Sequence, residues 1–280
     1  MNNSPQKLYL DLMKKVLTFT LWSEPPMPID SPVFKRSRFN QKYFFSVIAK
    51  IFSLMNLQLV KTRDVSEIQR TEGEIWPGYA DTMIGMKRLD NLQECVESVI
   101  SENIEGDLIE TGVWRGGACI FMRAILKAYN VEDRKVFVAD SFEGLPKPDI
   151  EKHPADEGDR HYTYNYIAVS QDQVKHNFRK YDLLDEQVVF LEGWFKDTLP
   201  NAPIEKISIL RLDGDMYGST IDAIEALYPK LSVGGYCIID DYALHGCKIA
   251  VDEYRKKHSI NSELKKIDNT ASYWRKTEEI

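Results

Sequence analysis

The sequence predicts a doubly wound α/β fold, with a mostly parallel sheet, one reversed strand at its C-terminal end and a helical extension before it. Three observations carry this. From about Tyr79 onward, short apolar β-branched runs alternate with stretches of helical spacing. These runs stop on acids: Glu110, Asp140, Glu192, Asp213 and the pair Asp240–Asp241. Near-continuous apolar runs suit strands buried on both faces, and ligands of such sheets bind outside the strands' carboxyl ends. Finally, Glu263–Asp268 and Ser272–Arg275 flank a turn containing Asp268–Asn269, which reads as a hairpin.

Taken in order, residues 1–78 form the helical extension, expected to make substrate or oligomer contacts. Leu8–Trp22 places Leu8, Tyr9, Leu12, Met13, Val16 and Leu17 at helical spacing, and packing is the default role for such a stripe. Pro25, Pro26, Pro28 and Pro32 then forbid a continuous helix. Residues 79–280 form the main domain. Asp90–Ser101 reads as a helix, Leu108–Thr111 as a strand, Ala118–Asn130 as a helix and Val136–Asp140 as a strand. A long polar segment, Gly144–Tyr166, has the length and composition of a lid and carries His153 and His161. There follow the helix Gln171–Tyr181, the strands Val188–Leu191 and Ile207–Leu212, the helix Thr220–Leu231, the strand Tyr236–Asp240 and the helix Lys248–Lys257.

A hydrophobic fraction of 43% and a charged fraction of 28% across 280 residues describe an ordinary globular chain with ample core. The formal net charge of −7 argues against a nucleic-acid partner, which needs a concentrated basic surface. The four cysteines have no CxxC pairing and read as small core residues in a reducing compartment. Leu8–Trp22 lacks the features of a secretory signal, and Lys50 interrupts the apolar stretch Tyr43–Val60 before it reaches membrane-spanning length. A cytoplasmic protein without membrane partner is expected, with a homo-oligomer formed through the N-terminal helices.

Asp213, Asp240 and Asp241 should converge at neighbouring strand ends. Three convergent carboxylates need a cation, and an all-oxygen donor set points to magnesium. The competing role for Asp240–Asp241 is to cap the helix that begins near His245. After the first strand, Glu110-Thr111-Gly112-Val113-Trp114 makes a tight glycine turn into a helix. Trp114 stands where a dinucleotide turn needs glycine, which disfavours a dehydrogenase. Glu110 instead suits a cationic group, such as a sulfonium-bearing amino acid. Asp140-Ser141-Phe142 ends the second strand, where an acid accepts ribose hydroxyls. Gly193 and Trp194, after the third strand, offer a backbone and a flat ring to an adenine. The strand ends together predict a nucleoside and a metal.

Five strings then become specific in their order: Thr82–Gly85 (TMIG), Leu108–Gly117 (LIETGVWRGG), Ala139–Pro146 (ADSFEGLP), Leu210–Thr220 (LRLDGDMYGST) and Gly234–Tyr242 (GGYCIIDDY). They closely resemble the macrocin and mycinamicin sugar O-methyltransferases, with which the novobiocin-type sugar enzymes are grouped, over roughly residues 79 to 276. The resemblance implies a class I methyltransferase (Rossmann-like) sheet, S-adenosylmethionine as donor, magnesium as essential cation and a deoxysugar of a natural product as acceptor. It implies Asp213, Asp240 and Asp241 as metal ligands. Thr82, Met83, Glu110, Thr111, Gly112, Trp114, Asp140, Ser141, Phe142, Gly193, Trp194 and Asp213 are the expected cofactor contacts.

An alcohol is a poor nucleophile, and a free carboxylate with a pKa near ~4 is badly matched to it as a base. A metal on the oxygen offsets the mismatch by stabilising the developing alkoxide. Magnesium prefers six oxygens, so three aspartates leave room for an acceptor with vicinal hydroxyls. Asp213 is the candidate base, and His245 its competitor by virtue of its ordinary pKa. The alternatives are a catechol or other phenol as acceptor, and a non-catalytic scaffold that keeps a nucleoside pocket.

Overall fold

The structure is a computed structural model that describes residues 4–29, 31 and 47–279. Its centre is a seven-stranded sheet whose strands we number in chain order: β1 (Asp107–Thr111), β2 (Val136–Asp140), β3 (Val188–Glu192), β4 (Ile207–Leu212), β5 (Leu231–Ile239), β6 (Lys265–Lys266) and β7 (Ser272–Arg275). The spatial order is β3-β2-β1-β4-β5-β7-β6. Strands β1 to β5 are mutually parallel, while β7 runs antiparallel to both β5 and β6. The predicted doubly wound sheet with a reversed C-terminal hairpin is therefore observed. The order reverses between β1 and β4, which opens a crevice at their carboxyl ends.

The main helices are α1 (Pro5–Leu17), α2 (Met86–Ser101), α3 (Gly117–Ala128), α4 (Gln171–Lys180), α5 (Tyr217–Leu227) and α6 (His245–Lys257). Alternate residues of each strand feed opposite faces of the sheet. Leu108, Val136, Val138, Ile209 and Ile238 pack with α1 to α4, whereas Ile109, Phe137, Ala139, Leu210, Leu212, Cys237 and Ile239 pack with α5 and α6. Both layers are apolar, which is why the strands read as unbroken hydrophobic runs.

Several boundaries differ from expectation for local reasons. Helix α1 stops at Leu17 because Thr18 turns its hydroxyl back onto the Lys14 carbonyl and Phe19 takes a φ of 58°. Leu10, Met13 and Leu17 of this helix are buried in the core that α2 and α3 share. Helix α5 ends at Leu227, since Pro229 closes it in a 3-10 turn, and β5 starts already at Leu231. That strand absorbs Gly234, at φ 90°, through a register shift against β4. Pro32 and residues 43–46 of the apolar stretch lie outside the described residues. Among those described, no helix is long and apolar enough to cross a membrane. All four cysteines are buried and unpaired.

The strand ends are brought level by backbone bonds that continue past the sheet. Gly193 N donates to Asp140 O, Gly112 N to Ala139 O, Asp213 N to Thr111 O and Asp240 N to Leu212 O, each at 2.9 Å. Gly112 has a φ of 89°, and a Cβ there would collide with the Asp213 carbonyl. Only glycine lets the end of β1 close on the end of β4.

Candidate active site

A cavity of about 420 Å³ opens over these strand ends, within the size range of small-molecule sites. One half is walled by Met83, Gly112, Trp114, Asp140, Ser141, Gly193 and Trp194, all of them expected contacts. The other half is walled by Asp213, Asp215, Met216 and Asp222 on the β4–α5 side, with Lys152, His153 and Asp156 from the long polar segment. Thr82, Glu110, Thr111 and Phe142 do not line it; they lie in the packed layer around it.

Asp140 is held by the turn of β1. Val113 N donates to its Oδ2 and Phe142 N to its Oδ1, each at 2.8 Å. Ser141 Oγ adds a long bond to Oδ1 at 3.4 Å. Burial raises its carboxyl pKa while these N–H groups oppose the rise. Trp114 adopts a φ of 47°, and its indole Nε1 donates to the Tyr166 carbonyl at 3.1 Å. The Tyr166 ring lies between Trp114 and Trp76, so the far end of the polar segment is fixed to the glycine turn.

The same segment has a second fastening. Asp156 is buried, and its carboxylate accepts from Tyr217 N at 2.6 Å and Gly218 N at 3.0 Å, the open N-terminus of α5. Gly218 and Gly246 leave it room: a Cβ on Gly246 would come 2.7 Å from Asp156 Oδ1. Asp156→Ala is expected to cost about 2 kcal/mol, the typical value for charge-assisted bonds to buried donors. Urea unfolding of the variant measures this.

On the cation side, Asp213, Asp240 and Asp241 offer oxygens that all lie within 4.8 Å of one another. Two of them, Asp213 and Asp240, pair with Arg211, the penultimate residue of β4, whose side chain is 2% exposed. Arg211 pairs with Glu110, with Asp240 and, at 2.8 Å, with Asp213. Glu110 therefore sits beneath the cavity, committed to Arg211 and to the Cys119 thiol, which donates to it at 2.9 Å. Burial pushes its carboxyl up to about 7, with Arg211 pulling the other way. Asp240 is raised chiefly by burial, and Asp241 strongly so by burial and then by Asp215. Arg211 and Arg88 offset part of the charge on Asp213 and Asp240, and the all-oxygen chemistry of the set fits a hard divalent cation.

Asp241 accepts from Asp215 N at 3.1 Å. The cap of α6 is Leu244 without any side-chain bond, so neither aspartate caps that helix through its carboxylate. His245 is exposed at the start of α6, away from the cavity wall, because α6 turns its buried face through Gly246, Cys247 and Ala250. Asp215 is the acid the sequence reading passed over. It lines the cavity at a φ of 57°, and burial, then Asp213, pushes its carboxyl up to about 7, with His161 opposing. The Asp213-Gly214-Asp215 doublet was its only available signal.

The chain matches the family model for macrocin-O-methyltransferase (TylF) over residues 6–276. It is 49% identical over 280 residues to demethyldecarbamoylnovobiocin O-methyltransferase of Streptomyces niveus, covering 98% of this chain and 95% of that one. Mycinamicin III 3''-O-methyltransferase of Micromonospora griseorubida is 53% identical over 214 residues, covering 75% of this chain and 84% of that one. Among solved structures, the O-methyltransferase NovP superposes with a TM-score of 0.82 at 48% identity, covering 98% of this chain and all of that one. With a cavity at the switch point of a class I sheet, the chain belongs to the macrocin O-methyltransferase family and is an S-adenosylmethionine-dependent O-methyltransferase.

Proposed function

We propose that the protein methylates a hydroxyl of a deoxysugar on a glycosylated natural product, with magnesium held by Asp213, Asp240 and Asp241. The observation that carries this is the clustering of those three carboxylates around Asp213, which lines the same cavity as Asp140 and Trp114. The activities for which its relatives are named, on demethyldecarbamoylnovobiocin and mycinamicin III, support the acceptor class.

The donor contributes an electrophilic methyl group on a sulfonium. Asp140, Ser141, Gly193 and Trp194 would hold its nucleoside, and the Gly112–Trp114 turn would hold its amino-acid end. The cation, when bound, supplies charge to stabilise a developing alkoxide. Asp215 accepts the hydroxyl proton, because it lines the cavity and the cation set does not need it. Its neighbours Met216 and Ser219 with His153 form the acceptor wall. The segment fastened through Asp156 and Tyr166 excludes water from above.

The test is transfer of isotopically labelled methyl from S-adenosylmethionine, with and without magnesium, to glycosides bearing vicinal hydroxyls and to catechols. Magnesium-dependent labelling of a glycoside supports the assignment; labelling of catechols alone overturns the acceptor class. Asp215→Asn is expected to lower kcat by about 10²-fold or more, the usual contribution of a positioned base, with nucleoside affinity kept.

A further inference from the structure

Helix α2 carries Arg88 in its first turn, where a cation opposes the helix dipole. The side chain is instead committed to the sheet. Its Nη1 donates to Asp240 Oδ2 and its Nε to Asp268 Oδ2, both at 2.6 Å, while Nη2 donates to Thr270 Oγ1. Asp268 is fixed in turn, for its Oδ1 accepts from Thr270 N and Ala271 N at 2.8 Å each. The opposite oxygen of Asp240 is taken by Arg211. Asp240 is thus gripped from two sides, by a strand neighbour and by a helix anchored on the turn between β6 and β7. Of a carboxylate's roughly four lone-pair sites, the two guanidiniums occupy two and leave the others for a cation.

We propose that Arg88 is a positioning residue for the cation centre, with the Asp268–Thr270 turn of the C-terminal hairpin as its anchor. This rests on the cation site assigned above. The role needs the guanidinium's planar fork, since three donors reach three partners in different directions; a lysine would keep the charge but not the fork. Groups that orient a metal ligand in this way typically account for about 10- to 100-fold in metal affinity.

The experiment follows Mn2+ binding by electron paramagnetic resonance in wild type, Arg88→Lys and Asp268→Asn, with S-adenosylhomocysteine affinity measured calorimetrically on the same samples. Both variants are expected to bind Mn2+ about tenfold or more weakly, and the nucleoside as wild type does. Equal or tighter Mn2+ binding by Arg88→Lys shows that charge alone matters and overturns the role. If that variant does not fold, unchanged Mn2+ affinity in Asp268→Asn overturns it. Wild type that binds the nucleoside but no Mn2+ overturns the cation centre itself, and this role with it.

Discussion

Asp213→Asn is expected to remove turnover almost completely while the protein still folds and binds S-adenosylhomocysteine. The substitution is isosteric, and the amide oxygen can still accept from Arg211, whose Nη1 lies 2.8 Å from Asp213 Oδ2. What disappears is one negative charge of three whose oxygens lie within 4.8 Å of one another. Two carboxylates bind a hard divalent cation far less tightly than three, and the hydroxyl loses its electrostatic activation. A loss of about 10³-fold in kcat corresponds to about 4 kcal/mol of transition-state stabilisation. Steady-state assays at saturating magnesium, with calorimetry of the nucleoside, separate the two effects. Turnover within a factor of a few of wild type would show that Asp213 serves only to pair Arg211. The comparison with Asp215→Asn is informative, because that variant keeps the proposed cation set whole and loses the proposed proton acceptor alone.

The sheet and the acid cluster were legible in the sequence for a common physical reason. Strands buried on both faces carry few polar residues, so most runs end where the chain leaves the core, and the first carboxylates mark that exit. Leu212 to Asp213 and Ile239 to Asp240 are such exits, and parallel pairing of β4 with β5 places them side by side. Glu110 obeys a different logic. It lies within β1, and its cation is a protein side chain, Arg211, one residue before the end of a neighbouring strand. An arginine inside the apolar run Ile207–Leu212 was visible, but its partners depend on strand order. Arg88 and Asp156 were hidden more deeply, since each acts across the fold, on Asp240 and on the N-terminus of α5. His245 shows the converse: a histidine close to the aspartates in sequence is carried to the surface by the turn of α6.

Arg211→Met is expected to destabilise the protein by about 3–5 kcal/mol, because removing one partner of a buried ionic group leaves the others uncompensated. Glu110 and Asp240 are both buried and both lean on this guanidinium. The pH dependence of the loss identifies the cause. Glu110 in the folded wild type is already pushed up to about 7 by burial, with Arg211 pulling it down. An acid raised on folding binds protons more tightly in the native state than in the unfolded one, so its effect is to lower stability as pH rises from the unfolded to the folded pKa. Without Arg211 the opposing pull is gone and Glu110 rises further. The stability gap to wild type should therefore be smaller near pH 5 and should widen through and above pH 7. Urea unfolding at the two ends of that range measures it. Adding Glu110→Gln to Arg211→Met removes the titrating group, so the double variant should recover part of the loss at high pH and little at low pH. A gap that stays constant with pH in both variants would assign the loss to packing near the end of β4 rather than to the charge that Arg211 supplies.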